Sequence, residues 1–333
     1  MSGSLFLRFL DTLFFAKIIK EPIFLSATLK KVAIFHYNSQ MKYFLLLFAL
    51  IFSLNSKAQS KDKEISTPPQ DSVELKVLSW NIYMLPPLIF FNGKRKRARA
   101  IGEILAAGEY DIIVFQEAFH HGARRNIKRW LREVYPYRVG PANTRYISLR
   151  ASSGVWILSK LPITKVEAIC FKERSGFDNR MARKGALMIE GEKDGQTFQI
   201  IGTHLNAGGT PELRLSQVRA IRNELMSAFQ KDSIPQIVCG DFNISKSTDT
   251  YTKMMEILEA EDGKLHSNPD TTYEPTNDMN KSQRKYIIDY IFYKINGKKT
   301  VSTLRKVPKI QKRWSAKHKD LADHNPVEIR VVW

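Results

Sequence analysis

The stretch "IVCGDFNIS" at residues 237–245 runs from an apolar segment directly into a carboxylate and an amide. Its first three residues favour a buried strand, and Gly240 then leads into Asp241 and Asn243. Side chains alternate along an extended chain, so Asp241 and Asn243 point the same way and Phe242 points back. Two polar groups aimed at one spot on the rim of a sheet indicate a binding site. The alternative is a turn, because Gly, Asp and Asn are common turn formers, and the stretch alone favours that turn.

The same pattern recurs along the chain. Six apolar segments carry a polar side chain at or near one end, namely Asn81, Glu117, His204 with Asn206, Asp241 with Asn243, Asp289, and Asp323 with His324. One polar strand end is ordinary, but a whole set drawn from Asn, Glu, Asp and His is hard to explain as turns. Burying charged groups is costly unless they pair or bind a metal ion. We therefore expect the six segments to converge on one polar cleft.

The residue types of this set indicate metal-assisted hydrolysis of a phosphate ester. Four side chains carry oxygen ligands that suit Mg²⁺ or Mn²⁺ better than zinc: Glu117, Asn81, Asp241 and Asn243. Two histidines with nearby carboxylates offer a general base and a donor to the transition state. The chain has no HExxH motif for zinc and no GxSxG motif for a nucleophilic serine, which favours attack by an activated water. Such donors suit the charge that builds on phosphoryl oxygens.

The bulk composition sets wider limits. The chain has 333 residues, of which 43% are apolar, and its formal net charge is +19. A basic surface favours acidic partners such as nucleic acid, anionic lipid head groups or phosphorylated substrates, although a generic solubilising charge is the plainer explanation. Cys170 and Cys239 lie far apart, and the chain has neither a disulfide framework nor a CxxC metal motif.

The N-terminal part predicts export. Residues 41–58 are typical of a signal peptide, with Lys42 before an apolar core and small residues at the cleavage site. We therefore expect a secreted or periplasmic protein whose signal peptide is Met41–Ala58. Residues 1–40 lack clean periodicity and are predicted to be an upstream extension, with translation starting at Met41; the alternative is a membrane-associated leader over 1–58. Residues 59–72 are polar and predict a linker.

The rest of the chain, 73–333, predicts one catalytic domain of the α+β class. Strands are predicted at 73–82, 110–119, 154–163, 184–191, 196–205, 234–239, 286–293 and 326–332. Helices are predicted at 94–107, at 123–134, after Thr210 and at 250–260. The helix after Thr210 has clear start signals, because Thr210 can cap it and Pro211 suits its first turn. The strands are too many for one ordinary sheet, which favours two sheets packed face to face with helices outside.

Six motifs in this order resemble the endonuclease/exonuclease/phosphatase superfamily, whose members share deoxyribonuclease I-like folds. They are "NIYMLP" at 81–86, "GVWILSKLPI" at 154–163, "FDNRMARKGALM" at 177–188, "GTHLNA" at 202–207, "GDFNI" at 240–244 and "DHNPVE" at 323–328. The resemblance covers nearly all of 74–333 and is greatest to secreted bacterial sphingomyelinases, whose first motif "NIYMLP" nucleases lack. It implies a four-layer α-β-β-α sandwich.

The resemblance also implies a metal site and a base. Glu117 would hold an essential Mg²⁺ with Asn81 nearby, and Mn²⁺ or Co²⁺ would be able to substitute. His324 would be the general base that activates water, oriented by Asp289. The products from sphingomyelin would be ceramide and phosphocholine, and ceramide phosphoethanolamine is an alternative substrate.

Four further side chains receive roles from the resemblance. Asp241 and Asn243 would bind the metal or position water and phosphate. His204 would stabilise the phosphoryl transition state, and Asp323 would buttress the site. Each has a structural alternative: a lone histidine such as His204, for example, is often a core residue.

Contacts with a lipid substrate at a membrane surface are predicted for Trp314, Tyr83 and Asn206. No obligate protein partner is expected, and nucleic acid is not expected to bind. The basic run "KRKRAR" at 94–99 has two interpretations, an anionic-lipid contact or a solvated helix face. The chain departs from the sphingomyelinase pattern at Ser152, where an acidic residue is usual.

Three other functions remain open from the sequence. A secreted Mg²⁺-dependent nuclease would use almost the same catalytic residues. A phosphoinositide phosphatase usually has an arginine where this chain has Ser245. A lipid-binding module without activity is the third alternative, and the complete polar set argues against it.

Overall fold

The strands alternate between two faces, and this alternation builds the molecule. In the first strand, Leu75 and Val77 belong to one buried cluster, whereas Leu78 and Trp80 belong to another. A strand that is apolar on both faces must be covered on both sides. The computed structural model accordingly shows four layers, with two sheets packed face to face and helices on both outer faces.

The structure describes residues 72–86, 93–144, 150–173, 181–266, 271–280, 282–297 and 302–333. These residues belong to one compact unit, Pro68–Trp333. The predicted upstream extension, the signal peptide and all but the last residue of the linker lie outside the described residues, as do the first four residues of the motif at 177–188. Among the helices that are described, none has the length and apolar character needed to cross a membrane.

Within the described residues, twelve strands form two sheets of six. The first sheet has the order β11-β12-β1-β2-β4-β3, and the second has the order β5-β6-β7-β8-β10-β9. The strands are β1 (Glu74–Met84), β2 (Ile112–Ala118), β3 (Tyr137–Val139), β4 (Trp156–Ser159), β5 (Ile163–Cys170), β6 (Gly185–Lys193), β7 (Gln196–His204), β8 (Gln236–Asp241), β9 (Glu261–Asp262), β10 (Asp289–Lys294), β11 (Ser302–Lys306) and β12 (Val327–Val332). The predicted four-layer α+β fold is therefore confirmed.

In the part of the chain that the structure describes, four α-helices cover the outer faces. They are α1 (Lys94–Leu105), α2 (His121–Leu131), α3 (Pro211–Ile221) and α4 (Asp249–Leu258). The first two pack on the first sheet and the last two on the second. The predicted cap of α3 is present, because Thr210 accepts a hydrogen bond from the Leu213 amide at 3.3 Å. A π-helical segment, Arg222–Ser227, continues this helix.

The predicted elements differ from the structure mainly at sheet edges. The single strand predicted at 154–163 is wrong, because the chain turns after Ser159 and Ile163 begins β5 in the other sheet. Most of β5 escaped prediction because it lies at the sheet edge and alternates between partly and fully exposed residues. The short strands β3, β9 and β11 were also missed, since they lack an apolar run long enough to stand out.

Candidate active site

The site lies where the side chains on the inner face of the strands change from apolar to polar. Along β8, Ile237 and Cys239 are in the core between the sheets, and Asp241 is the next residue on that face. Antiparallel pairing sets Asp289 of β10 opposite Asp241, and parallel pairing sets His204 of β7 beside it. Three distant segments therefore meet at one carboxylate through strand register alone.

His324 and Asp289 form a buried pair. The Nδ1 atom of His324 lies 2.8 Å from the Asp289 carboxylate, and its Nε2 atom lies 3.9 Å from Asp241. The imidazole meets the edge of the Tyr273 ring, with 4.9 Å between ring centroids, and Trp80 donates a hydrogen bond to the His324 carbonyl. Burial lowers the pKa of His324, but the charges of Asp289 and Asp241 outweigh this and raise the pKa well above its ordinary value.

Asp241 connects the other polar groups. It accepts hydrogen bonds from the Asn81 amide at 3.0 Å and from the backbone N–H of Asn243 at 2.9 Å. His204 Nε2 lies 3.6 Å from the same carboxylate. The Asn81 oxygen accepts the backbone N–H of Tyr83 at 3.2 Å, so both ends of the Asn81 amide are engaged. Asn81 therefore orients Asp241 in this structure.

Glu117 and Asp323 form the second charged part of the site. Glu117, the last residue but one of β2, has a left-handed backbone at φ 53°, and its side chain lines the cleft. Burial, followed by the charge of Asp323, raises the pKa of Glu117 to about 7, and burial also raises the pKa of Asp323. Among the described residues, Glu117 Oε2 and Asp323 Oδ1 have no hydrogen-bond partner although both atoms are shielded from solvent.

His204 is held in its neutral form. Burial, together with the charge of Lys184, lowers the pKa of His204 to about 3. Lys184 is itself buried and donates from Nζ to the Leu205 carbonyl at 2.8 Å. A neutral imidazole can donate one N–H to a ligand without carrying charge.

The donor set fits a hard divalent cation. Three ligand atoms, from Asp241, Asp289 and His324, lie within 4.8 Å of one another. Two of these residues, His324 and Asp289, already hydrogen-bond to each other, which engages part of their ligand capacity. The unpartnered oxygens of Glu117 and Asp323, with Asp241 close by, offer the oxygen ligands that Mg²⁺ prefers.

An apolar cleft of about 250 Å³ opens next to these groups. Glu117, Lys184 and His204 supply its polar part, and the remaining lining is Leu85, Pro86, Phe119, Ala151, Met181, Ala182 and Ala207. Met181 is 42% exposed, an unusual state for a large apolar side chain. The cleft can therefore hold a ligand that has both an anionic group and an apolar part.

The predicted site residues divide into two groups. The structure brings Asn81, Glu117, His204, Asp241, Asn243, Asp289, Asp323 and His324 together. Tyr83 also lies near this set, since the charges of Asp323 and Glu117 contribute to raising its pKa after burial. Asn206 is buried, and its side-chain oxygen accepts a hydrogen bond from Gln217 at 3.0 Å, so its placement does not support substrate contact.

Trp314 is packed rather than presented to a membrane. Its indole N–H donates to the Asp320 carbonyl at 2.7 Å, and its ring stacks on His318 with 5.1 Å between centroids. The ring also occupies the place where a Cβ on Gly93 would stand. This half-buried position does not support the prediction of membrane contact, because the polar and apolar parts of the side chain already make contacts within the fold.

Three residues near the site were missed. Arg97 was assigned to a run that was either lipid-binding or solvated, yet it is buried and donates to the Ile82, Tyr83 and Leu321 carbonyls. Its spacing from the buried Lys94, three residues earlier, marks an inward helix face. Lys184 lies within the motif at 177–188 but received no role of its own, and Tyr273 gave no signal because a loop tyrosine is ordinary.

Comparison with known proteins agrees with this geometry. The family described as Endonuclease/Exonuclease/phosphatase matches residues 78–311. The chain is 28% identical to a phospholipase C of Staphylococcus aureus over 91% of this chain and 97% of that protein. It is 27% identical to a sphingomyelinase C of Listeria ivanovii over 85% and 92% of the two chains.

A solved structure has a similar fold. A variant of beta toxin from Staphylococcus aureus with bound magnesium ions superposes with a TM-score of 0.70 and 25% identity, over 77% of this chain and 99% of that one. The chain therefore belongs to the Endonuclease/Exonuclease/phosphatase family and is a hydrolase of the phosphodiesterase type.

Proposed function

We propose that this protein is a secreted, Mg²⁺-dependent phosphodiesterase that hydrolyses sphingomyelin, or ceramide phosphoethanolamine, to ceramide and the phosphorylated head group. The observation that carries the proposal is the buried His324–Asp289 pair facing Asp241, with an apolar cleft opening beside Glu117. The histidine–aspartate pair supplies a base for hydrolysis, and the apolar cleft suits a lipid ester.

His324 is the general base in this proposal. In the deprotonated form that acts as the base, its Nδ1–H donates to Asp289, which leaves the Nε2 lone pair directed at the site. A water molecule held there transfers a proton to Nε2 as its oxygen attacks phosphorus, and the bond from phosphorus to the ceramide oxygen breaks. Asp289 stabilises the imidazolium that results, because its charge lies 2.8 Å away in a buried setting.

His204 and Asn243 position the phosphate. Neutral His204 donates an N–H to a phosphoryl oxygen without repelling a cation nearby, which its lowered pKa makes effective. Asn243 has its backbone fixed by Asp241 and its amide held by the Leu205 carbonyl at 3.2 Å, so its carbonyl oxygen has a set direction. These groups restrict the phosphate to one orientation.

The residues that would hold Mg²⁺ are Glu117 first, with Asp241, Asp323 and the Asn81 oxygen in support. When bound, the ion neutralises negative charge on the phosphoryl group and polarises its oxygens. The support within this chain is the pair of shielded carboxylate oxygens without partners, on two carboxyl groups whose pKa values are raised chiefly by burial. Mn²⁺ and Co²⁺ are proposed substitutes.

Export rests on the sequence. Residues 41–58 carry the signal-peptide pattern, and the sphingolipid substrate proposed here lies in membranes that an exported enzyme would reach. N-terminal sequencing of exported protein is expected to find a first residue after Ala58.

A substrate panel tests the proposal. Sphingomyelin, ceramide phosphoethanolamine, a phosphoinositide and plasmid DNA are each incubated with the protein, once with Mg²⁺ and once with EDTA. We expect release of the phosphorylated head group from a sphingolipid in Mg²⁺ alone. Cleavage of DNA or of the phosphoinositide without sphingolipid hydrolysis would instead support one of the alternative functions.

A further inference from the structure

The outer face of α1 and α2 is strongly basic. Helix α1 contains five Lys or Arg residues and one Glu, and α2 contains four and no acidic residue. Six of these cations are exposed, namely Arg95, Lys96, Arg99, Arg125, Lys128 and Arg129. We call these six the basic helix face. The opposite helix layer, α3 and α4, mixes acidic and basic residues.

This arrangement opposes ordinary helix electrostatics. Neither α1 nor α2 has an acidic residue in its first turn, although the positive end of the helix dipole favours one. Arg95 and Arg99, and likewise Arg125 and Arg129, are like charges four residues apart, which lowers helix stability. Unfavourable charge interactions of this kind on two neighbouring helices indicate that the positive charge serves binding.

The basic helix face forms a groove with an aromatic side chain. The groove between α1 and α2 has a volume of about 550 Å³ and is lined by Arg95, Lys96, Arg99, Asn126, Arg129 and Trp130. Trp130 is 41% exposed, and the Arg99 guanidinium lies 5.9 Å from its ring centroid. A second hollow of about 430 Å³, on the other side of α2, contains Arg124, Arg125, Lys128 and Arg138. Among the residues that the structure describes, no acidic side chain lines either hollow.

The basic helix face begins at the edge that carries the active site. Helices α1 and α2 follow β1 and β2, whose last residues but one, Tyr83 and Glu117, lie at the site, and Lys94 at the start of α1 donates to the Pro86 carbonyl at 3.4 Å. Pro86 and Phe119, which precede α1 and α2, line the apolar cleft. Cations therefore adjoin apolar residues along one rim of the molecule, a combination that suits a lipid–water interface.

We propose that the basic helix face docks on an anionic lipid bilayer and so holds the apolar cleft at the membrane. The choice of a lipid partner rests on the proposed function. A single exposed aromatic side chain within these two hollows also favours a bilayer over single-stranded nucleic acid, which is bound by successive stacking aromatics.

Binding of the full chain to vesicles that contain no sphingolipid tests this proposal without any hydrolysis. Vesicles of phosphatidylcholine alone are compared with vesicles in which one lipid in three is phosphatidylserine, both in EDTA, by co-sedimentation. Each cation close to an anionic surface strengthens binding about fivefold. We expect the combined substitutions Lys96→Gln, Lys128→Gln and Arg129→Gln to weaken binding to the anionic vesicles on the order of 100-fold.

A matched control removes the same charge elsewhere. Arg219→Gln, Lys253→Gln and Lys264→Gln, which are also exposed cations, are expected to weaken binding by less than about twofold because they lie outside the face. Hydrolysis of a soluble choline phosphodiester should be unchanged in both triple variants, so a failure of docking is separated from a failure of catalysis. Replacing Lys96 and Lys128 by Arg should retain binding.

Three outcomes would overturn the proposal. The first is equal binding to neutral and anionic vesicles, and the second is an equal loss in both triple variants. The third is selective, salt-sensitive binding of single-stranded DNA to the face while vesicle binding is unaffected by the Lys96→Gln, Lys128→Gln and Arg129→Gln substitutions. Thermal unfolding midpoints that match the unsubstituted protein establish that the variants are folded.

Discussion

Replacing Glu117 by Gln is expected to stabilise the metal-free protein at neutral and alkaline pH while it impairs function. The pKa of Glu117 is raised from 4.5 to about 7 by burial and then by the charge of Asp323. The folded state therefore binds the proton more tightly than the unfolded state does. Stability falls as the pH rises from about 4.5 to about 7, and the whole cost is present above that range.

The size of the stabilisation follows from this difference in pKa between the unfolded and folded states. A difference between 4.5 and about 7 corresponds to about 3 kcal/mol of unfolding free energy. Gln has the shape of protonated Glu and carries no charge, so it removes this cost. For a unit of this size, about 3 kcal/mol raises the unfolding midpoint by roughly 6–12 °C.

Thermal unfolding in EDTA at about pH 8 and at about pH 4 measures the effect. We expect the Glu117→Gln variant to unfold at a higher temperature than the unsubstituted protein at the alkaline pH and at nearly the same temperature at the acidic pH. Added Mg²⁺ should stabilise the unsubstituted protein much more than the variant. The variant should also need more Mg²⁺ for half-maximal hydrolysis.

Glu274→Gln serves as the matched control. Glu274 is buried but pairs with Lys309 at 2.8 Å, and that hydrogen bond and Asn325 lower its pKa despite burial. The control variant should therefore lose stability at about pH 8, the opposite sign to Glu117→Gln. A Glu117→Gln variant that unfolds at or below the temperature of the unsubstituted protein in EDTA, with an unchanged Mg²⁺ requirement, would refute the assignment of Glu117.

Three further predictions concern the base, the cleft and the strand that leads to the site. Asp289→Asn should lower the hydrolysis rate by about 10²–10⁴ and move the acidic limb of the rate profile to lower pH, because loss of this charge lowers the pKa of His324; a limb that stays in place would count against the pairing. Met181→Glu should reduce hydrolysis of vesicle substrate about tenfold and spare a soluble phosphodiester, and equal effects on both would contradict a lipid cleft. Gly240→Ala should destabilise the fold by about 3 kcal/mol, since Gly240 has φ 148° and a Cβ would overlap the Thr203 carbonyl; normal stability by denaturant unfolding would refute this reading.

Most of the sandwich could be predicted from the sequence, because the alternation of side chains between the two faces of a strand is a local signal. The β8 residues Ile237 and Cys239 share a face with Asp241, and that period of two can be read without coordinates. The convergence of the polar strand ends also followed, because burial of isolated charges is too costly to occur in several separate places. The stretch around Gly240, taken alone, favours a turn. In the structure the glycine is required because the neighbouring strand lies so close that a Cβ would overlap the Thr203 carbonyl.

Long-range packing could not be predicted. The fit of Trp314 over Gly93 joins residues far apart in sequence, and no local pattern marks it. The burial of Arg97 was hidden within a basic run whose other members are mostly exposed. The distance between His324 and Asp289 depends on the path of the loop from β11 to β12 of the first sheet, which brings His324 to Asp289 of the second sheet, and composition does not determine that path.

Anomalous diffraction from crystals soaked in Mn²⁺ and phosphocholine tests the central claim most directly. We predict a manganese peak bound by the Glu117 carboxylate, with the phosphate next to it and within reach of His204 and the Nε2 atom of His324. A peak held by other residues, or a phosphate bound away from His324, would contradict the assignment of one metal-assisted phosphodiesterase site.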